Sequence, residues 1–201
     1  MSRILWGRAT SVNVQKVMWV LAELGIAHER RDAGGAFGWP EALEGLNPNR
    51  RIPVWQDGDL VLWESHAILR HLGAAQLPPG PLGDQWMEYV TSTVQPAFLG
   101  VFYQKVRFSK AERDEAALAK YLADLETTLD VVEGRLARAR WLGDAFSVAD
   151  IALGAMMYRY FDMDMPHGHR PGLARWVAEL QERPAYRDII ETSYEALRAV
   201  D

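Results

Sequence analysis

Residues 52–69 read IPVWQDGDLVLWESHAIL, and this stretch decides the fold of the first part of the chain. Two apolar segments, PVWQ and LVLW, flank the Asp-Gly-Asp triplet at 57–59, which predicts a β-hairpin because Asp-Gly favours the tight turns between antiparallel strands. Ser65 then suits the N-cap of a helix that stops at Gly73. The stretch therefore predicts two strands and a helix in immediate succession.

The sequence before this hairpin alternates between strand and helix patterns. ILW at 4–6 predicts a short buried strand, and apolar residues then recur at helical spacing from Val14 to Leu24. IAHERRD at 26–32 predicts a second strand, and Pro40 begins a short second helix after a glycine-rich loop. The order is therefore β-α-β-α-β-β-α, which indicates a sheet covered by helices.

A proline-rich segment divides the chain. AAQLPPGPLG, at 74–83, contains three prolines and two glycines, a composition typical of a linker. The pattern after it is helical throughout. We therefore predict an α/β domain over residues 1–75, a linker over 76–84 and an all-helical domain over 85–201.

Within the helical part, two pairs of residues predict helix starts. Ser109 and Glu112 form a candidate capping box ahead of a long helix rich in Ala, Leu, Glu and Lys. Ser147 is the predicted N-cap of an apolar helix, with Asp150 as its capping-box partner, so we expect Asp150 to be structural and not an acid or base. Two last helices are predicted over 172–182 and 185–199, separated at a proline.

Composition excludes several classes of protein. The 201 residues are 49% hydrophobic and carry a formal net charge of −5, whereas general nucleic-acid binders usually carry a basic surplus. No apolar run approaches the roughly 18 residues that span a bilayer, and the N-terminal apolar run is too short for a signal peptide. We therefore expect a cytoplasmic protein with neither nucleic-acid nor membrane partners.

The chain contains no cysteine. This absence excludes disulfides, cysteine-ligated zinc and any chemistry that uses a thiolate of the protein. His167 and His169 form a His-x-His pair, but no third ligand is evident nearby, so we predict no metal site. If sulfur chemistry occurs here, the substrate supplies the sulfur.

The stretch GRATSVNVQKV, at 7–17, places three small polar residues at the start of the first helix. Thr10, Ser11 and Asn13 are residue types that commonly cap helices. The same residues could instead hold the reacting atom of a substrate. The sequence of this turn alone leaves both interpretations open.

Four motifs together resemble those of the cytosolic glutathione S-transferases. LNPNRRIPVW resembles the family's Asn-Pro-x-Gly-x-Val-Pro segment, LWESHAIL its Glu-Ser-x-Ala-Ile segment, FSVADIAL its capped buried helix, and SVNVQKV its active-site turn. They occur in the family's order and at its approximate spacing. The resemblance implies a thioredoxin-like N-terminal domain followed by an all-helical domain, that is, an α/β plus all-α fold. The turn is similar to that of bacterial members with Ser or Thr followed by Asn.

The resemblance implies that glutathione binds as co-substrate and that its thiol must ionise. A free thiol has a pKa of about 8.5, so hydrogen-bond donors at a helix N-terminus are needed to stabilise the thiolate. Ser11 is the first candidate because it stands five residues before Lys16, where the family's catalytic residue is found. Asn13 is the second candidate, since its amide can also donate to sulfur, and Thr10 is the third.

The remaining parts of glutathione need their own partners. Glu64 can accept from the γ-glutamyl ammonium, and Ser65 at a helix N-terminus can bind the neighbouring carboxylate. The resemblance implies a cis peptide bond between Ile52 and Pro53, with the Ile52 backbone paired to the cysteinyl part of glutathione. Arg51 is a candidate partner for the glycyl carboxylate.

Arg50 departs from the family pattern, which commonly has Gly at this position. Gly adopts left-handed backbone angles that cost other residues about 1 kcal/mol or more. We therefore expect the loop before Ile52 to differ in shape from that of other members.

The second substrate is expected to rest on the first helices of the helical domain. The stretch PAFLGVFYQKVRF provides aromatic residues and one cation at helical spacing. The candidates for a pocket are Phe98, Phe102, Tyr103 and Arg107. Core packing with a surface arginine is the competing interpretation. As a pocket, aromatic walls with one cation would suit a flat or anionic electrophile.

We predict a glutathione transferase whose bound thiolate attacks a small electrophile or a peroxide, acting in detoxification. The resemblance also implies a homodimer, and the lack of a recognisable set of ligands predicts no metal cofactor. The alternatives are a glutathione-dependent disulfide reductase, isomerase or dehalogenase, and a non-catalytic member that binds glutathione or a protein. The intact Ser11, Ile52-Pro53 and Glu64-Ser65 positions favour an active enzyme, whereas Arg50 favours the non-catalytic alternative.

Overall fold

The computed structural model describes residues 3–200, and its N-terminal part is built on one four-stranded sheet. Its strands are β1 (Arg3–Trp6), β2 (Glu29–Arg31), β3 (Val54–Asp57) and β4 (Leu60–Trp63). They lie in the order β2-β1-β3-β4, with β1 parallel to β2 and the other neighbours antiparallel. The predicted hairpin is therefore confirmed, and it forms one half of the sheet.

Helices α1 (Val12–Glu23) and α2 (Ser65–Gly73) cover one face of this sheet. Side chains from both helices and two strands form a core there: Leu5, Val14, Val17, Leu21, Trp55 and Ile68. The other face packs against the connection between β2 and β3. We expected a short helix to begin at Pro40 in that connection, and this prediction is wrong: two 3-10 turns, Gly35–Phe37 and Glu41–Leu43, stand there, and the second follows Pro40. Gly38 and Gly45, at φ 63° and 79°, bound this second turn and interrupt the helical backbone on both sides.

The rest of the chain is helical, as predicted. Its helices are α3 (Gly80–Tyr89), α4 (Gln95–Phe102), α5 (Glu115–Leu136), α6 (Val148–Asp162), α7 (Pro171–Gln181) and α8 (Pro184–Ile189). Two π-helical turns, Val90–Val94 and Tyr103–Arg107, flank α4. Helix α3 begins inside the segment 76–84 that we predicted as a linker.

Two of the predicted helix boundaries need correction. Helix α5 begins at Glu115, with Asp114 as its N-cap, because the Asp114 carboxylate accepts from the Ala117 amide at 3.0 Å. Ser109 and Glu112 do contact each other, at 2.8 Å between hydroxyl and carboxylate, but in the turn before the helix.

The last helix, α8, ends at Ile189, ten residues before the predicted end. The Thr192 hydroxyl donates to the Ile189 carbonyl at 3.1 Å and so satisfies a carbonyl group at the helix terminus.

The second capping box is confirmed. The Ser147 hydroxyl accepts from the Ala149 amide at 3.2 Å, and the Asp150 carboxylate accepts from the Ser147 amide at 3.1 Å. Asp150 also accepts from the Leu142 amide and the Trp176 indole, so it ties α6 to α7. Burial raises the pKa of this carboxyl group to about 6.

The two parts of the fold pack through α1. Trp19 lies against α6 at Gly154, where a Cβ atom would come within 3.1 Å of the indole ring. Nearby, Arg183 forms two hydrogen bonds with the Glu23 carboxylate, at 2.7 and 2.6 Å. These apolar and ionic contacts fix the C-terminal half of α1 relative to the helical part. No helix within residues 3–200 is both long and apolar enough to cross a membrane.

Candidate active site

Ser11 lies at the N-terminus of α1 with a side chain that capping does not use. Its backbone is extended, at φ −85° and ψ 123°, and its carbonyl accepts from the Gln15 amide at 2.8 Å. The hydroxyl makes no capping hydrogen bond. The first amide groups of a helix lack partners within the helix and carry its positive dipole end. Among residues 3–200 the Ser11 hydroxyl has no hydrogen-bond partner, so it is an available donor beside an electropositive helix terminus.

Thr10 and Asn13 are both tied to other residues. The Thr10 hydroxyl oxygen accepts from the Arg8 guanidinium at 2.9 Å, and the Thr10 carbonyl accepts from Arg159 at 3.0 Å. The side-chain oxygen of Asn13, Oδ1, accepts from the Ser65 hydroxyl at 3.5 Å. This last contact brings the N-termini of α1 and α2 side by side.

The Ile52–Pro53 peptide bond is cis, as the resemblance implied. The Ile52 side chain packs closely against Gly7, where a Cβ atom would lie 3.2 Å from the Ile52 Cβ and 2.4 Å from a Val14 methyl group. Gly7 also has φ 148°, a conformation that favours glycine. The backbone amide and carbonyl of Ile52 form no hydrogen bond within residues 3–200.

Glu64 occupies the corner between β4 and α2 with φ 68° and ψ 115°. A positive φ is uncommon for a residue other than glycine, and such conformations concentrate at functional sites. The Glu64 carboxylate is exposed and accepts from the Asn49 amide at 3.1 Å, and Ser65 beside it is buried. The corner therefore presents a carboxylate next to a hydroxyl at a helix N-terminus.

The loop before Ile52 keeps a left-handed residue although it lacks the usual glycine. Arg50 has φ 48°, and its guanidinium pairs with Glu44 at 3.1 Å. The Asn47 side chain supports the loop, because its amide donates to the Arg51 carbonyl at 2.8 Å. The backbone thus adopts at Arg50 the region that glycine favours, and the loop is not remodelled to avoid it. The Arg51 side chain is exposed beside the site.

Lys16 forms a buried polar chain that our sequence analysis did not predict. Its ammonium lies 3.0 Å from His66 Nε2 and 2.6 Å from Gln95 Oε1. His66 Nδ1 in turn lies 2.6 Å from the Thr91 hydroxyl, which donates to the Met87 carbonyl. Thr91 must therefore accept from Nδ1–H, which leaves Nε2 as the acceptor for Lys16. Burial lowers the pKa of Lys16 to about 7, and burial and the Lys16 charge lower that of His66 to about 2.

A cavity of about 140 Å³ lies between the α1 turn and the helical part. Its walls include all three candidate residues of the turn and three of the four that we proposed for the second substrate. The lining residues are Arg8, Thr10, Ser11, Val12, Asn13, Leu99, Phe102, Tyr103, Arg107, Arg159 and Leu197. An engineered cavity of about 150 Å³ holds benzene, so this space suits one aromatic ring.

Phe98 is not part of this cavity, and its assignment to the pocket was wrong. The side chain is fully buried in the core of the helical part. Helical spacing placed it near Phe102, but spacing cannot distinguish a core-facing side chain from a cavity-facing one. Arg8 and Arg159 were missed. Arg159 had a signal in the sequence, since it is the one basic residue of a largely apolar helix, VADIALGAMMYRYFD.

No group of three or more His, Asp or Glu side chains within residues 3–200 is arranged to hold a metal ion. His167 lies against Tyr160, with its Nε2 atom 2.8 Å from the Tyr160 carbonyl.

Comparison with known proteins identifies the family. The family model described as "Glutathione S-transferase, N-terminal domain" matches residues 10–75, and the corresponding C-terminal model matches residues 115–179. Glutathione S-transferase GstB of Escherichia coli K12 is 35% identical, over 92% of this chain and 96% of its own. Glutathione S-transferase 4 of Zea mays is 30% identical, over 93% and 91% of the two chains.

A solved structure supports the same assignment. The glutathione-bound theta class glutathione S-transferase of Xanthomonas axonopodis pv. citri superposes with a TM-score of 0.89 at 40% identity, covering 96% of this chain and 98% of its own. The predicted family and fold are confirmed by these matches, which extend over both parts of the chain. The chain belongs to the glutathione S-transferase family.

Proposed function

We propose that this glutathione transferase binds glutathione along the edge formed by Ile52, Glu64 and Ser65, with the thiol at the N-terminus of α1. The similarity to a glutathione-bound bacterial transferase supports glutathione as the ligand. The unpaired Ile52 amide and carbonyl can pair with the cysteinyl backbone as an added strand does. The Glu64 carboxylate accepts from the ammonium, and Ser65 binds the γ-glutamyl carboxylate.

Arg51 is the proposed partner of the glycyl carboxylate. Its side chain is exposed next to Ile52, and it forms no ion pair within residues 3–200. A flexible arginine at this position can reach the far end of the tripeptide without disturbing the loop, because the loop is fixed by Asn47.

The proposed mechanism rests on one observation: the Ser11 hydroxyl makes no capping hydrogen bond and so can donate to the thiolate. Lowering a thiol pKa by two units needs roughly 2.7 kcal/mol of preferential thiolate stabilisation. One hydrogen bond to a charged group supplies about 1.5–3 kcal/mol, and the helix dipole adds about 0.3–1 kcal/mol. Ser11 with α1 can therefore supply the whole effect, with Asn13 as a second donor. We rank Thr10 last because the Arg8 guanidinium, 2.9 Å from its hydroxyl oxygen, holds the Thr10 side chain toward Arg8.

The reaction follows from this arrangement. The thiolate sulfur attacks an electrophilic carbon, and the leaving group departs with the bonding electron pair. With a peroxide, the same sulfur attacks one oxygen atom, the O–O bond breaks, and the other oxygen leaves with the bonding pair as an alkoxide or hydroxide. The electrophile occupies the cavity beside Ser11, where Phe102 and Tyr103 provide aromatic walls.

The test is a titration of the bound glutathione thiol by its thiolate absorbance. Ser11→Ala should raise the thiol pKa by at least about one unit, equivalent to about 1.4 kcal/mol. Ser11→Thr, which keeps a hydroxyl group, is the matched control and should shift it less. If Ser11→Ala leaves the thiol pKa unchanged while glutathione still binds, the role belongs to Asn13 or Thr10, and the alanine variants of these residues decide between them.

The chain acts, in our proposal, as a cytoplasmic homodimer, as is typical of the family. Light scattering on the purified protein measures the mass directly. A mass of one chain across the working concentration range would contradict the dimer.

A further inference from the structure

Three arginine side chains line the cavity beside Ser11. Arg8 belongs to the turn before α1, Arg107 to the π-helical turn after α4, and Arg159 to α6. No Asp or Glu residue lines the same cavity, and none within residues 3–200 forms an ion pair with any of the three. The cavity therefore carries an uncompensated positive charge.

Arg159 is the buried member of this group, with only 3% of its surface exposed. Its guanidinium donates to the Thr10 carbonyl at 3.0 Å and to Gln15 Oε1 at 2.9 Å, while its Nε atom has no partner. The rings of Phe102 and Tyr194 flank it at 5.3 and 5.4 Å. All these partners are neutral, and burying a charge without a counter-charge is costly. An anion in the cavity would relieve that cost.

Arg8 is held in place within the cavity wall. Its guanidinium donates to the Thr10 hydroxyl at 2.9 Å, and a Cβ atom on Gly35 would come within 3.0 Å of its Nε atom. Burial and the nearby charge of Arg107 lower the pKa of Arg8, which indicates electrostatic repulsion between the two cations. The mouth of the cavity thus presents two like charges whose repulsion an anionic ligand would offset.

We propose that this cavity selects electrophiles that bear a carboxylate or sulfonate group, bound by Arg8 and Arg107, with Arg159 supplying buried positive charge behind them. This inference rests on the proposed function, because it takes the cavity as the electrophile site. The anionic group is not consumed. It orients an aromatic ring between Phe102 and Tyr103 so that the reactive carbon faces the sulfur held at Ser11.

A matched pair of electrophiles tests the proposal. 4-Chloro-3-nitrobenzoate and 4-chloro-3-nitrobenzamide differ in one substituent, which is an anionic carboxylate in the first and a neutral amide of similar size in the second. In both, the S–C bond forms at the ring carbon, the C–Cl bond breaks, and chloride leaves with the bonding pair. Because the substituents activate the ring differently, each kcat/KM is divided by the uncatalysed rate constant with glutathione. We expect the normalised value to be at least tenfold higher for the benzoate.

Variants locate the anion site. Arg107→Met and Arg8→Met should each lower the normalised kcat/KM for the benzoate about tenfold and change that for the benzamide less than twofold. Arg138→Met, at an exposed position outside the cavity, is the control and should change neither. Equal normalised values in the wild type would overturn the inference. So would an increase in the KM for glutathione alone, because the arginines would then bind a glutathione carboxylate.

A binding measurement separates this inference from the proposed function. Calorimetry with S-methylglutathione present compares the unreactive 3-nitrobenzoate with 3-nitrobenzamide. Tighter binding of the benzoate, lost in Arg107→Met, supports the inference even if neither chlorinated compound reacts, and equal binding overturns it. Failure of S-methylglutathione itself to bind would instead count against the glutathione site.

Discussion

Lys16 and His66 face each other in the interior, with the Lys16 ammonium 3.0 Å from Nε2 of the histidine. They come from α1 and α2, the two helices whose N-termini meet at Asn13 and Ser65. Gln95, the first residue of α4, accepts from the same ammonium. The contact therefore joins the proposed glutathione site to the helical part of the chain, and both of its ionisable groups have lowered pKa values.

The first prediction concerns Lys16 at alkaline pH. Burial lowers its pKa from 10.5 to about 7, so between these values the unfolded chain binds a proton that the folded chain does not. Stability through this group therefore rises with pH over that range, by at most about 1.4 kcal/mol per pH unit. Lys16→Met should remove this rise, which urea unfolding of both proteins from pH 7 to 10 would measure. Parallel profiles would show that Lys16 titrates normally in the fold.

The second prediction concerns His66 at acidic pH. Its pKa falls from 6.5 to about 2, so the unfolded chain alone binds this proton below pH 6.5 and stability falls as the pH drops. Asp150 acts in the opposite direction, because its folded pKa of about 6 exceeds its ordinary value of 3.8 and favours folding at low pH. His66→Gln keeps a polar acceptor and removes the titration. Its unfolding free energy should therefore fall less than that of the wild type between pH 6.5 and 4.

The parts of the fold that the sequence predicted well depend on neighbours along the chain. The hairpin follows from Asp57-Gly58, and the capped start of α6 from Ser147 and Asp150, since each needs only local hydrogen bonds. The helix predicted after Pro40 did not form, because this segment depends on its packing as well as on its neighbours along the chain. Glycines at positive φ interrupt the helical backbone of this segment, and its apolar residues pack against the sheet.

The parts of the site that the sequence did not predict depend on contacts between distant segments. Arg159 reaches the turn at Thr10 across 149 residues of sequence, and Lys16 meets Gln95 across 79. Neither pairing has a signal in local spacing. Phe98 lies on a helix, as predicted, but whether its side chain faces the core or the cavity depends on how α4 packs. Spacing along the helix does not report that packing.

The third prediction tests the role of Glu64. The side chain is exposed and has one side-chain partner, Asn49, at 3.1 Å, so its removal should change the free energy of unfolding by no more than about 0.5 kcal/mol. Loss of a charge-assisted hydrogen bond to the glutathione ammonium should weaken binding roughly tenfold or more. Calorimetric titration of glutathione into Glu64→Ala and Glu64→Gln measures the loss of binding against the wild type, and urea and thermal unfolding of the same variants measure the change in stability. A collapse of the Tm in Glu64→Gln would make Glu64 structural and refute the assignment.

The fourth prediction concerns the left-handed residue at Arg50. At φ 48° any residue other than glycine destabilises the fold by about 1 kcal/mol. The ion pair between Arg50 and Glu44 is exposed, so it offsets little of this cost. Arg50→Gly should therefore stabilise the protein by up to about 1 kcal/mol without changing the KM for glutathione. Arg50→Ala is the matched control, because it loses the same ion pair but keeps the Cβ atom and the strain.

The comparison of the two variants separates backbone from side chain. If glycine is more stable than alanine in urea unfolding, the left-handed backbone is the source of the cost. If the two are equal, the loop relaxes out of the left-handed region when the guanidinium is removed, and the pairing with Glu44 and the contact over Trp39 at 5.8 Å are what hold Arg50 there. Since the Arg51 carbonyl is held by Asn47 in both cases, glutathione binding should be insensitive to either change.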